Sequence, residues 1–174
     1  MLKSVSVIVL EPIAVFEFGV AVEVFGVDRT DEGIEPFDFR VCGVEPGRAL
    51  ATKNGDLFTI TPQLGLDSVL GTDLVIVAPT LPQADDEYPP EVLEVLRRAY
   101  DGGATILSLC SGSCIVGAAG LLEGRRCTTH WMYADEMTRR FPAAEVDPRV
   151  LFVEDGRIVT SAGTAAGIDA SLHL

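Results

Sequence analysis

The residues of this chain best suited to chemistry are Cys110, His130 and Glu17. Cys110 ends the apolar, β-prone run Thr105-Ile-Leu-Ser-Leu, and the small residues Ser111-Gly112-Ser113 and a helix-forming segment to Leu122 follow it. A strand that stops at a nucleophile and turns sharply into a helix is the layout of a nucleophile elbow. Backbone N–H groups at the start of such a helix can hold an anion, and the helix dipole favours a thiolate. Cys110 is therefore expected to be the most reactive of the four cysteines, with a pKa below the ordinary ~8.5.

A cysteine nucleophile needs a base or a charged partner. Of the two histidines, His173 falls on the final helical segment, where a surface or interdomain role is expected. His130 lies twenty positions beyond Cys110, beside Trp131 at an expected strand end. One helix and one strand suffice to bring the chain back to the same edge of a sheet. Glu17, just after the first expected strand, falls near the crevice outside the strands' carboxyl ends. There a carboxyl protonated by burial could donate a hydrogen bond to the thiolate. Each residue also has a plainer reading: Cys110 as a packed strand end, His130 as a structural histidine, Glu17 as a solvated acid at a helix start. Cys110, Cys114, Cys127 and His130 loosely follow zinc-ligand spacing. The apolar helix after Cys110 turns Cys114 inward, however, so no metal and no other cofactor is expected.

The elements that must position these residues alternate between strand-like and helix-like, the pattern of a parallel sheet covered by helices. Residues 5–10 form a continuous apolar strand, 37–44 a second, and 73–78 a third. Residues 16–25 carry Phe18, Ala21, Val22 and Phe25 at helical spacing. Asn54-Gly55 predicts a tight turn, and Pro89-Pro90-Glu91 opens a helix that closes at Gly102-Gly103. A helix over 133–141 stops before Pro142, and 150–153 pairs with 157–161 around Asp155-Gly156. The resulting fold class is a three-layer α/β sandwich with a mostly parallel central sheet, read as one domain over 1–174. The last segment, 163–174, is helical and ends without a cap, as expected of a fragment of a longer chain.

Composition narrows the function. With 48% hydrophobic and 22% charged residues the chain is not a disordered one. No apolar run reaches the ~18 residues of a membrane span, and the amino terminus lacks signal-peptide features, so a cytoplasmic location is expected. Four cysteines in such a chain read as free thiols. The net charge of −13 argues against nucleic-acid binding by these residues, because phosphate contacts need cations.

Taken together, the sequence resembles the ThiJ/PfpI superfamily, with the class I glutamine amidotransferase-like, flavodoxin-like fold. Glu17 in an apolar helix, Leu109-Cys110-Ser-Gly, Thr128-Thr-His130 and Thr160-Ser-Ala-Gly163 carry the resemblance. Within that superfamily the sequence is most similar to the amino-terminal domain of AraC-family transcriptional regulators. That similarity is carried by Phe16-Glu-Phe-Gly-Val-Ala-Val-Glu-Val-Phe-Gly26, Gly120-Leu-Leu-Glu-Gly-Arg-Arg126, Thr129-His-Trp131 and Ser161-Ala-Gly-Thr-Ala-Ala-Gly-Ile-Asp169. The resemblance implies that Cys110 holds the reactive-cysteine position, with Glu17 as the acid bonded to it and His130 nearby. It also implies a homodimer, an unknown small-molecule effector, and DNA binding only through a carboxyl-terminal helix-turn-helix part of longer relatives.

Family enzymes usually place a glycine-rich turn after the third strand, with a backbone N–H for an oxyanion. Here Ala78-Pro79-Thr80 stands at that point, and proline has no N–H to give. Thr80 or Leu81 would have to serve, so Thr80, Ser111 and Gly112 are the expected ligand-facing residues. Two functions follow: a sensing domain of a regulator, or a cysteine enzyme of the isonitrile hydratase, amidase or glyoxalase kind.

Overall fold

The computed structural model describes residues 2–174, apart from the side chains of Asp56 and Asp86. Its strands are β1 (Ser4–Ile8), β2 (Asp38–Gly43), β3 (Leu50–Thr52), β4 (Gly55–Ile60), β5 (Leu64–Gly65), β6 (Leu74–Val77), β7 (Thr105–Ser108), β8 (Arg126–Cys127), β9 (Glu145–Val146), β10 (Phe152–Asp155) and β11 (Ile158–Ser161). Its α-helices are α1 (Val15–Ala21), α2 (Pro90–Asp101), α3 (Gly112–Ala118), α4 (Ala134–Arg140) and α5 (Ala166–His173).

Seven strands form the central sheet in the order β10-β11-β7-β6-β1-β2-β5. Every pairing is parallel except β10 with β11. A parallel strand buried on both faces should be apolar throughout, and all four residues of β6 are buried. Successive side chains then feed two cores. Val75, Val77 and Ile106 pack beneath α2 and α3 with Leu96 and Ile115, while Val5, Leu74 and Leu107 pack on the other face with Ala21 of α1 and Ala170 of α5. The three-layer α/β sandwich expected from the alternation is the fold observed.

Local chemistry sets the element ends. Proline at the first position of α2 supplies the helical φ without needing its missing N–H. Gly103 leaves that helix at φ +104, and Gly55 and Gly156 turn the hairpins at φ +67 and +61. The chain runs from β1 to β2 on one side and later returns to β6 on the other, so the strand order reverses at β1. Ligands of open α/β sheets bind outside the carboxyl ends at such a reversal.

Several expected boundaries shift. The helix expected over 16–25 is α1 followed by one π-helical turn, Val22–Gly26. Within it Phe16 is half exposed and Glu17 is buried, the reverse of simple hydrophobic ordering. The strand expected to lead to His130 is β8, which pairs only with β9 in a separate two-stranded sheet. No helix is long and apolar enough to cross a membrane, among the described residues.

Candidate functional site at the Cys110 elbow

β7 ends at Ser108, and the chain turns through Leu109, Cys110 and Ser111 into α3. Cys110 has φ +53, a left-handed conformation costing a non-glycine residue roughly 1–2 kcal/mol. The surroundings hold it there. Leu109 N–H donates to the Val77 carbonyl at 3.2 Å, and Gly112 N–H donates to the Leu109 carbonyl at 2.8 Å. Gly112 is required by space, since a Cβ there would lie 2.5 Å from the Val77 carbonyl oxygen. Thr129 Oγ1 donates to the Cys110 carbonyl at 3.1 Å and accepts from Ser113 Oγ at 2.8 Å. On the other side, Ser111 Oγ donates to the Thr80 carbonyl at 2.6 Å.

The thiol is 5% exposed, whereas Cys42, Cys114 and Cys127 have no exposure. The expected lowering of its pKa is overturned. Burial pushes the Cys110 thiol up to about 11, and the charge of the neighbouring Glu17 carboxylate adds to the rise. Ser111 N–H facing the sulfur and the positive charge of Lys53 pull the other way and lose. The reason is one of magnitudes: α3 is a single pair of turns, while the loss of water around the sulfur is almost complete. Burial likewise raises Cys42 and Cys127 to about 11 and Cys114 to about 12.

Glu17 projects from the first turn of α1 into this site and is 7% exposed. Its Oε1 accepts a hydrogen bond from Thr164 N–H at 3.2 Å. Thr164 itself sits at φ +54, just before α5. The carboxylate is therefore tied to the residues leading into α5 and lies near enough to the thiol to oppose its ionisation.

His130 is drawn to the same edge by its neighbours rather than by a sheet. Thr128 N–H donates to Thr160 Oγ1 of β11 at 2.8 Å, and Thr129 anchors on Cys110. The imidazole then caps a short turn, with Nδ1 accepting from Met132 N–H at 3.2 Å. An accepting Nδ1 places the proton of a neutral ring on Nε2. No hydrogen bond joins the ring to Cys110 among the described residues. Gly163 packs against the ring so closely that a Cβ would lie 2.0 Å from Cδ2.

The expected ligand-facing residues lie deep. Thr80 and Ser111 are 1% exposed, the Ser111 hydroxyl is bonded to Thr80, and the Gly112 N–H is taken by Leu109. The N–H groups of Thr80 and Ser111 find no carbonyl partner among the described residues, and Thr80 Oγ1 is buried without a partner there. Sequence reasoning missed Thr129, Ser113 and Thr164, which brace the elbow and its acid. The Thr128-Thr129 pair beside His130 was the available signal.

The model of the DJ-1/PfpI family matches residues 3–174. The transcriptional regulator GbdR of Pseudomonas aeruginosa is 27% identical over 172 residues, covering 99% of this chain and 46% of the regulator. Isonitrile hydratase of Pseudomonas putida is 41% identical over 93 residues, 53% of this chain and 38% of the enzyme. The chain thus spans less than half the length of these curated relatives. The crystal structure of an AraC family transcriptional regulator from Pseudomonas putida superposes with a TM-score of 0.82 at 20% identity, covering 98% of this chain and 89% of that one.

Proposed function

This chain belongs to the DJ-1/PfpI family, and from that premise we propose that it is the ligand-sensing, dimerising domain of an AraC-type transcriptional regulator. The similarity to GbdR along 99% of this chain carries the proposal, because it is with a regulator and spans both the elbow and the acid-bearing helix. In this reading the Cys110 crevice receives an effector or registers oxidation, and DNA is bound by a further part of the whole protein.

The geometry favours sensing over turnover. At pH 7 a thiol raised to about 11 is protonated, and His130 spends its accepting nitrogen on Met132. A protonated thiol without a base is a poor nucleophile. A cysteine enzyme of the isonitrile hydratase kind is the second reading, supported by the 41% identity over 93 residues.

Fluorescence anisotropy with DNA from the gene's own promoter separates the readings. The whole gene product should bind, with an affinity that falls as salt rises. Residues 1–174, at net charge −13, should not. Salt-sensitive, sequence-dependent binding by residues 1–174 alone overturns the assignment. Conversion of an isonitrile that disappears in Cys110→Ala establishes the enzyme reading instead.

A further inference from the structure

A hollow lies on the same edge of the sheet as the elbow. It is a cavity of about 260 Å³ over the ends of β1 and β2, and Cys110 is not among its lining residues. Its floor is apolar, with Val9, Val44, Leu50 and Pro89. Its rim is charged, with Glu11, Glu45, Glu87 and Arg48. An apolar hollow with a few polar groups, beside the strand reversal, has the makeup of a small-molecule site.

The rim's charges identify the kind of molecule. Three carboxylates face one guanidinium, which leaves the rim two charges negative. Arg48 is already committed, pairing with Glu11 through one nitrogen and with Glu45 at 3.5 Å through the other. Glu11 also accepts from Ala51 N–H at 3.2 Å. Glu87 has no cation partner among the described residues; its Oε2 accepts only from Ala84 N–H, at 3.2 Å. Glu87 is exposed and solvated, so its pull is one of surface charge: a rim two charges negative above an apolar floor favours a cation that brings its own carbon chain. An anion would meet repulsion, since the one guanidinium is spent.

We propose that this cavity binds a small aliphatic ammonium compound, its charge beside Glu87 and Glu11 and its chain on Val9 and Leu50. At about 260 Å³ the cavity falls below the ~300–1,000 Å³ of drug-sized sites, which suits a small ligand. The segment from Thr80 to Pro89 connects the elbow to this cavity. Thr80 braces the elbow through Ser111, while Gln83 and Glu87 line the cavity. A cation drawing on Glu87 therefore pulls on the stretch that holds Cys110 in place. Its meaning as an effector rests on the regulator reading; the binding itself does not.

Thermal unfolding of the 174-residue chain tests the site, with butylammonium, butyrate and butan-1-ol as matched probes at constant ionic strength. Butylammonium in tenfold excess over its Kd should raise the midpoint by about 3–5 °C, and the other two should not. Glu87→Gln, which keeps the Ala84 contact and removes the charge, should fold normally and lose most of that rise. An equal response to butyrate or butan-1-ol, no response to butylammonium at 100 mM, or an undiminished response in Glu87→Gln overturns the proposal. If butylammonium binds but leaves promoter binding by the whole gene product unchanged, the site stands and its effector role is withdrawn.

Discussion

The tip of β7 and the tips of β1 and β2 lie on one edge of the sheet and are built in opposite ways. At β7 the residues with chemical potential are tightly packed: Cys110 is 5% exposed, and its carbonyl and those of its neighbours are bonded on both sides. At β1 and β2 nothing resembles a nucleophile, yet there is room, an apolar floor and unspent charge. Reactive residue types mark where a fold is strained and tightly specified. Space and uncompensated charge mark where a small molecule can enter. In this protein the two are neighbours joined by the stretch from Thr80 to Pro89.

Attacking the packed side first should produce the largest effect. Gly112→Ala forces a methyl group against the Val77 carbonyl, which belongs to the central sheet and cannot step aside. A loss of about 3 kcal/mol is expected, read as a fall in the urea midpoint at an unchanged m-value. An unchanged midpoint would mean the elbow is looser than its contacts indicate. Thr129→Val comes next. It removes the hydroxyl between Cys110 and Ser113 and should cost about 1–2 kcal/mol, while the corresponding change at a cavity rim residue should be close to neutral.

The smallest effect concerns the thiols. Alkylation by iodoacetamide under native conditions should label Cys110 first, since the other three have no exposure. Its rate should climb with pH well beyond 9, because the folded thiol titrates near 11. Glu17→Gln removes the charge that opposes the thiolate and should speed labelling at pH 8. The sign for stability follows from the same shifts. All four cysteines have raised pKa values in the folded state, so the unfolded chain ionises first as pH rises past ~8.5. Their contribution is complete at neutral pH and is lost as pH rises from ~8.5 through the folded values of about 11 to 12.

Most of the fold was legible because it is written in local patterns. The apolar run of β6, the proline at the start of α2 and the glycine at 156 each have one physical meaning wherever they stand. The elbow was legible for the same reason. Its electrostatics were not, because a thiol's pKa depends on how much water is left around it, and burial is set by residues far along the chain. Helical spacing could not reveal that Glu17 turns in while Phe16 turns out. Inside, the Thr164 N–H supplies the carboxylate with a partner. His130 was placed near the right edge but given the wrong support: a cap on Met132 in place of a strand of the sheet.

The bond between Glu17 and Thr164 joins positions 147 residues apart. During synthesis the acid emerges early and its partner 147 residues later, after Cys110 and its brace from Thr129. Until β11 and the residues beyond it leave the ribosome, nothing seals the elbow. In that interval the thiol is an ordinary exposed cysteine, with ordinary acidity and ordinary vulnerability to oxidants. An oxidised Cys110 in purified protein therefore has two histories to tell apart: damage to a half-made chain, or a change suffered by the finished one.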